Sequence, residues 1–255
     1  MSSKKILIPI PSYGFDPTEV AVPWKILTAG GFGVVFSTPR GNVAEADKII
    51  LTGKKLGLFK KLLQADKKAI QNYNELIKSK EFNHPIKYKE IVAKDFIGIY
   101  LPGGHDKRVR EYLESTILQN AIADFFLANK KIGAICHGAL LVARSKNTQT
   151  GKSVLRNRKT TALLKIQELS AYNLTKWWLK DYYLTYPETT IEDEIKTYLK
   201  SPRQFIYGPL PILKDSPQNL KRGFSLRDKN YLSARWPGDI YNFSFEFKKM
   251  LQDNL

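Results

Sequence analysis

Residues 132–141, Ile-Gly-Ala-Ile-Cys-His-Gly-Ala-Leu-Leu, read as a short apolar strand that turns sharply into a small-residue helix through Cys136, the only cysteine of the chain. A buried strand feeding directly into a helix belongs in a layered α/β arrangement. Such a corner points the sulfur off the end of the sheet. It also sets the sulfur near the N–H groups that open the helix, which favours a thiolate over a thiol. This is the logic of a nucleophile elbow with sulfur in place of a serine oxygen. A free cysteine is otherwise a small buried hydrophobe. Gly133, Gly138 and the adjacent His137 weigh toward the reactive reading.

The N-terminal half alternates the two kinds of element. Strands are expected over residues 4–10, 33–37, 95–101 and 132–135, with helices over 18–29, 117–129 and from 138. That order implies an α/β fold with a doubly wound, mostly parallel sheet flanked by helices. Sites in such sheets form beyond the carboxyl ends of the strands, where both Pro102-Gly103-Gly104 and Cys136 fall. Residues 42–94 interrupt the alternation, and their lysine-rich amphipathic stretch over 58–79 reads as a small helical cap insertion. An apolar face there would use Leu58, Leu62, Leu63, Ile70 and Leu76. Residues 172–235 form an aromatic-rich C-terminal elaboration, with Trp177-Trp178, Tyr182-Tyr183 and Tyr186 reading as core or interface. A hairpin over 223–235 turns at Arg227-Asp228-Lys229-Asn230, and a last amphipathic helix covers 239–251. With no linker or repeat, residues 1–255 read as a single domain.

The 255 residues carry a formal net charge of +17. Their lysines are scattered and match no zinc finger, basic zipper or aromatic RNA-binding pattern, so no specific nucleic-acid partner is expected. One cysteine forms no internal disulfide, and the opening apolar run is too short for a signal peptide. No stretch is long enough to span a bilayer, so the expectation is a cytoplasmic protein without a membrane partner. His84, before Pro85 in a lysine-rich loop, has no ligand-spaced partner, and no metal site is expected.

A cysteine nucleophile needs a base, an orienting acid and donors for developing negative charge. The backbone N–H of His137 is one candidate donor. The second comes from Gly103-Gly104, where missing side chains let the backbone approach a ligand. Glu19, at the start of the first helix, reaches the same edge. To assist Cys136 it must be protonated and donate to the sulfur, since an ionised carboxylate would raise the thiol pKa. Glu168 could orient His137 as a third member of a triad, or serve as a surface ion-pair glutamate.

Gly14-Phe-Asp-Pro-Thr-Glu19, Leu101-Pro-Gly-Gly-His105 and Ala134-Ile-Cys-His-Gly-Ala139 together resemble the DJ-1/PfpI superfamily, which has a class I glutamine amidotransferase-like, flavodoxin-like fold. The likeness points to the branch of heat-inducible chaperones and glutathione-independent glyoxalases (glyoxalase III). Residues 47–58 with the following helix resemble that branch's cap. Ser233-Ala-Arg235-Trp-Pro237 looks like the Arg-x-Pro segment entering the last helix. The resemblance implies Cys136 as nucleophile, His137 as its triad neighbour and Glu19 as the protonated glutamate that holds the sulfur. It implies Gly104 and His137 as oxyanion-hole donors and Glu168 near the acidic third position. Gly103 and His105 would contact substrate, with His105 at the pocket mouth. A homodimer is implied as well.

Three functions compete on these residues. The first is glyoxalase III-like conversion of a 2-oxoaldehyde to a 2-hydroxy acid, with no metal, glutathione or nicotinamide cofactor. The second is an amidase or peptidase of PfpI type, acting on an amide through an acyl-thioester. The third is a stress-linked chaperone or oxidation sensor without turnover, built on an exposed low-pKa thiolate. Glutamine hydrolysis is disfavoured, because none of His84, His105 and His137 begins a His-x-Glu pair.

Overall fold

The computed structural model describes residues 4–253; Met1 to Ser3, on which part of the signal-peptide reading rests, and the last two residues lie outside the description. Nine strands are present: β1 (Lys5–Pro9), β2 (Tyr13–Phe15), β3 (Gly33–Thr38), β4 (Glu45–Ala46), β5 (Ile86–Lys87), β6 (Gly98–Leu101), β7 (Lys131–Ile135), β8 (Ser225–Asp228) and β9 (Tyr231–Ala234). Seven form one sheet in the order β5-β3-β1-β6-β7-β9-β8. All neighbours are parallel except the antiparallel β8–β9 hairpin. Ile6, Leu7 and Ile8, and likewise Ile99, Tyr100 and Leu101, are buried without alternation. Strands covered on both faces need this pattern, so the sheet is flanked by helices on either side.

The chain leaves β1 toward β3 and returns on the other side to β6, so the strand order reverses between β1 and β6. Segments that follow these two strands diverge and open a crevice at their carboxyl ends. The register pairs Leu101 with Ala134 and Ile135 with Ala234. Pro102, Cys136 and Arg235 therefore leave the sheet at one level.

Several expectations are corrected in detail. The third strand begins at Gly98, because Ala93–Asp95 close a 3-10 turn ahead of it. The stretch over 58–79 is not one helix but Lys60–Leu63 and Lys67–Leu76. Asp66 breaks it by capping the second helix, its Oδ1 accepting from Ala69 N at 2.8 Å. Leu58 is 97 % exposed and takes no part in the expected apolar face. Residues 42–94 are also more than a cap. Helix Lys67–Leu76 packs on helix Pro17–Ala29, and β5 extends the main sheet beside β3. Ahead of Glu168 the chain makes only an isolated bridge, between Thr160 and Phe205. Of the aromatic third, Tyr183 and Tyr186 are buried whereas Trp177 is 85 % exposed.

The hairpin turns at Lys229-Asn230, with Lys229 in the left-handed region (φ 59°). Beyond it, Arg235 and Asp239 form a fully buried bidentate pair, Nε to Oδ2 and Nη2 to Oδ1 both at 2.8 Å. Arg235 Nη1 also reaches the carbonyls of Tyr207 and Pro209. The pair thus fastens the last helix, Ile240–Gln252, and a distant loop to the sheet edge. Among the described residues no helix is long and apolar enough to cross a membrane.

Candidate active site

Cys136 adopts φ 56°, the left-handed conformation that an L-residue occupies only when its surroundings enforce it. Its N–H donates to Ala234 O (3.1 Å), and its carbonyl accepts from Ala139 N (3.3 Å). The last sheet bond and the first helix bond thus act on one residue. The helix Gly138–Arg144 starts directly behind it. A side chain on Gly138 would collide with the Leu101 carbonyl, so glycine lets this helix sit tight on the end of β6.

Gly103 is the hub of the second strand end. Its N–H donates to Glu19 Oε2 at 2.7 Å, and its carbonyl accepts from Asp16 N at 2.9 Å. Asp16 caps the helix bearing Glu19, with Oδ1 accepting from Thr18 N (2.7 Å) and Glu19 N (3.1 Å). A Cβ on Gly103 would stand 2.7 Å from His137 N and 3.1 Å from both Cys136 Cβ and Glu19 Oε2. Glycine at this position is what allows Glu19, Cys136 and His137 to converge. The Asp16-Pro17-Thr18 sequence signals a helix start, and the role of Asp16 could have been read from it.

His137 Nδ1 lies 3.3 Å from Cys136 Sγ, and Nε2 lies 2.9 Å from Thr185 Oγ1. The Thr185 hydroxyl donates to the His105 carbonyl at 3.2 Å. A carbonyl only accepts, so the single hydroxyl proton is committed there and Thr185 accepts from Nε2–H. That leaves Nδ1 with a lone pair facing the thiol. Burial holds His137 well below the usual histidine range, so the ring is neutral and this tautomer is the base form. Thr185 went unnoticed in the sequence, where nothing distinguishes it within an aromatic-rich stretch.

The expected low-pKa, exposed thiolate is overturned. Cys136 is 1 % exposed. Burial pushes its thiol well above the ordinary cysteine value, helped by Glu19 and Asp16, and the His137 N–H offsets this only in part. Glu19 is wholly buried and is also pushed far up, by desolvation first and then by Asp16, so it is protonated at neutral pH. Its Oε1 has no protein hydrogen-bond partner among the described residues. The resting site is a neutral thiol between a neutral imidazole and a neutral carboxylic acid. As sulfur becomes anionic, His137 Nδ1 can take its proton and Glu19 can donate toward it.

Glu168 makes no direct hydrogen bond to His137, although its charge is close enough to raise the Cys136 thiol. It sits in the first turn of helix Lys165–Leu179, and its Oε2 accepts from Ile191 N at 3.0 Å, tying that helix to helix Ile191–Tyr198. Burial pushes its carboxyl up to about 7. The position at His137 Nε2 expected for an acid is held by Thr185. Gly104 packs against Gly14, Phe15 and Asp16, and its N–H meets no protein acceptor among the described residues. The Gly103 N–H is committed to Glu19, which leaves Gly104 as the freer of the two donors.

His105 lies edge-on to His137 (centroids 4.9 Å apart) and to Tyr183 (5.0 Å). Burial lowers its pKa to about 4. His105 and Tyr183 form one end of a cavity of about 340 Å3 between the 50–65 segment, helix Lys165–Leu179 and the 210–214 loop. His105 thus stands where the site meets this cavity.

The reversed strand order, the strained strand-to-helix cysteine and the glutamate held by a glycine amide define an α/β protein with a single buried thiol at the carboxyl edge of its sheet, a place consistent with a nucleophile. Residues 10–209 match the family described as ThiJ/PfpI family-like, and the chain belongs to the DJ-1/ThiJ/PfpI superfamily. An uncharacterised protein of Schizosaccharomyces pombe is 31 % identical over 55 % of this chain and 54 % of its own length. A second protein of that yeast, named glutathione-independent glyoxalase, is 29 % identical over 61 % of this chain and 62 % of its own length. The chain therefore spans little more than half the length of these curated relatives. Among solved structures, glyoxalase III from Candida albicans superposes with a TM-score of 0.69 over 98 % of both chains. At 14 % identity that likeness is one of fold alone.

Proposed function

We propose that the protein converts 2-oxoaldehydes to 2-hydroxy acids through Cys136, without glutathione. The observation that carries this reading is the 3.3 Å approach of Cys136 Sγ to His137 Nδ1, with the buried Glu19 carboxyl beside the same thiol. The yeast relative named glutathione-independent glyoxalase supports it. Sγ adds to the aldehyde carbon C1, its proton passes to His137 Nδ1, and the C1 oxygen takes a proton to give a hemithioacetal. The N–H groups of His137 and Gly104 are the donors for that oxygen while it is charged. His137 passes the proton taken from sulfur on to the C1 oxygen and, a free base again, removes the C1 hydrogen as a proton, while Glu19 stays protonated. The electron pair passes through a C1–C2 enediol: His137 returns the proton to C2, and the C1 hydroxyl proton moves to the C2 oxygen, leaving a thioester carbonyl at C1 and an alcohol at C2. C1 is oxidised and C2 reduced by the same two electrons. Water cleaves the resulting thioester and restores the thiol. The test is lactate formation from methylglyoxal by metal-free protein; equal turnover by Cys136→Ala sinks the mechanism.

One observation favours a second reading, a holdase for unfolded clients. Leu58 and Trp177 are 97 % and 85 % exposed, an apolar display that could meet a client chain. Suppression of client aggregation by Cys136→Ala as fully as by the wild type would assign that role and detach it from the thiol. The oxidation-sensor reading loses its premise, since the sulfur is neither exposed nor acidic.

A further inference from the structure

Eight buried side-chain N or O atoms have no protein hydrogen-bond partner among the described residues. Four of them, His105 Nδ1, Gln167 Nε2, Tyr183 Oη and Trp236 Nε1, belong to residues that line the one 340 Å3 cavity beside the site. Buried polar atoms are normally satisfied, and these four lie just behind the wall of one cavity, where a change of side-chain rotamer would turn them toward a ligand. The Trp236 and Gln167 nitrogens are donors only, which calls for oxygen acceptors on that ligand. The rest of the wall is largely apolar, with Leu62, Leu63, Leu163, Ile166, Leu174 and Ile212. Asp16 and Lys214, also in the wall, are opposite charges that interact with each other, so a neutral ligand fits better than an anion. The volume falls in the range of about 300–1,000 Å3 used for drug-sized ligands, far beyond the needs of a three-carbon aldehyde.

We propose that the cavity takes the substituent of a neutral 2-oxoaldehyde bearing an aliphatic or aryl group of several carbons, and that such compounds, rather than methylglyoxal, are the preferred substrates. The inference rests on the glyoxalase reading for its chemistry but on the cavity for its specificity. Cys136 is buried and does not line this cavity, so the dicarbonyl end reaches it as the His105 ring swings aside, while the chain stays among the leucines and isoleucines. Its oxygens meet the unpartnered donors on the way. No step beyond the transfer already described is added.

The experiment compares kcat/KM for methylglyoxal and 2-oxooctanal. Each added methylene that enters the cavity should raise kcat/KM about fourfold, the factor equivalent to about 0.8 kcal/mol per buried CH2. We expect at least a tenfold preference for 2-oxooctanal. Ala171→Trp, which fills the cavity from helix Lys165–Leu179, should collapse that preference. Trp236→Phe, which keeps an aromatic ring but loses the N–H, should raise KM for 2-oxooctanal about threefold to tenfold by removing one donor. Equal or better use of methylglyoxal, or a preference unmoved by both variants, overturns the inference and leaves the glyoxalase reading standing. If neither aldehyde is turned over, the glyoxalase reading falls and titration of Cys136→Ala protein with 2,3-octanedione decides the cavity. Saturable binding that Ala171→Trp or Trp236→Phe weakens supports it; absence of binding overturns it.

Discussion

Thr185 Oγ1 stands 2.9 Å from His137 Nε2 and occupies the place where an acidic residue was expected. A hydroxyl that is itself committed to the His105 carbonyl fixes the ring tautomer without adding charge. In a site this dry, a carboxylate there would stabilise imidazolium and act against a neutral resting state. Thr185→Val should leave Nε2–H without an acceptor, destabilise the fold by about 1–3 kcal/mol and lower kcat about tenfold to a hundredfold. Thr185→Ser should restore most of both. Steady-state kinetics and nitrogen NMR of the His137 tautomer check this, and an unchanged tautomer in Thr185→Val would falsify the assignment.

Burial pushes both Glu19 and Cys136 up; Asp16 raises Glu19 further while the contact with Cys136 lowers it, and the charge of Glu19 raises Cys136 in turn. Alkylation of Cys136 by iodoacetamide should therefore be slow at pH 7 and still be rising above pH 9. Glu19→Gln keeps an acceptor for the Gly103 N–H but removes the competing charge. We expect the thiol to titrate lower, with alkylation at pH 8 faster than in the wild type and turnover about a hundredfold slower. A pH profile of the alkylation rate in both proteins is the measurement.

Glu168 should govern stability rather than turnover. Burial lifts its carboxyl from 4.5 to about 7, and similar burial lifts Asp215 to about 7 and Asp47 to about 6. A folded-state pKa above the unfolded value means that the native state holds the proton more tightly. Its stabilisation is complete below about pH 4 and is lost as pH rises through 7. Thermal melts should show the protein more stable at pH 5 than at pH 8. Glu168→Gln should remove about 3 kcal/mol of that dependence and leave kcat within about threefold. A hundredfold loss of turnover would return Glu168 to the triad.

Gly103→Ala places a Cβ 2.7 Å from His137 N, a contact with backbone that cannot rotate away. About 1–3 kcal/mol of stability should be lost as the strand end shifts. Turnover should fall by about a hundredfold or more, because Glu19, Cys136 and His137 all meet at this residue. Urea unfolding and kinetics on the same preparation separate the two effects.

Arg235→Leu strands Asp239 in a fully buried site and should cost about 3–5 kcal/mol in urea unfolding. Arg235→Leu combined with Asp239→Asn should recover a large part of that loss. A loss in the single variant no greater than that of the double variant would show the pair to be of little consequence.

The α/β layering, the strand-to-helix corner at Cys136, a hairpin turning within Arg227-Asp228-Lys229-Asn230 and the placing of Glu19 at the same sheet edge as Gly103 were legible along the chain. Each rests on local chemistry: unbroken apolar strands, glycine where backbones must touch, Asp-Pro at a helix start. The helix over 58–79 misled because its apolar spacing spans a break that only the Asp66 cap reveals. Periodicity counts faces and is blind to a side chain that competes for backbone donors.

Two decisions about the site belonged to the assembled protein. Which hydroxyl or carboxylate orients His137 depends on where residues 48 positions apart come to rest, and Thr185 carries no local mark of that role. The protonation of Cys136 and Glu19 was misjudged for the sulfur for a related reason. A helix N-terminus beside a cysteine suggests a thiolate, but desolvation depends on everything packed around the group. Motif residues and strand order are properties of short segments. Burial, charge state and the third partner of a catalytic pair arise from contacts between distant ones.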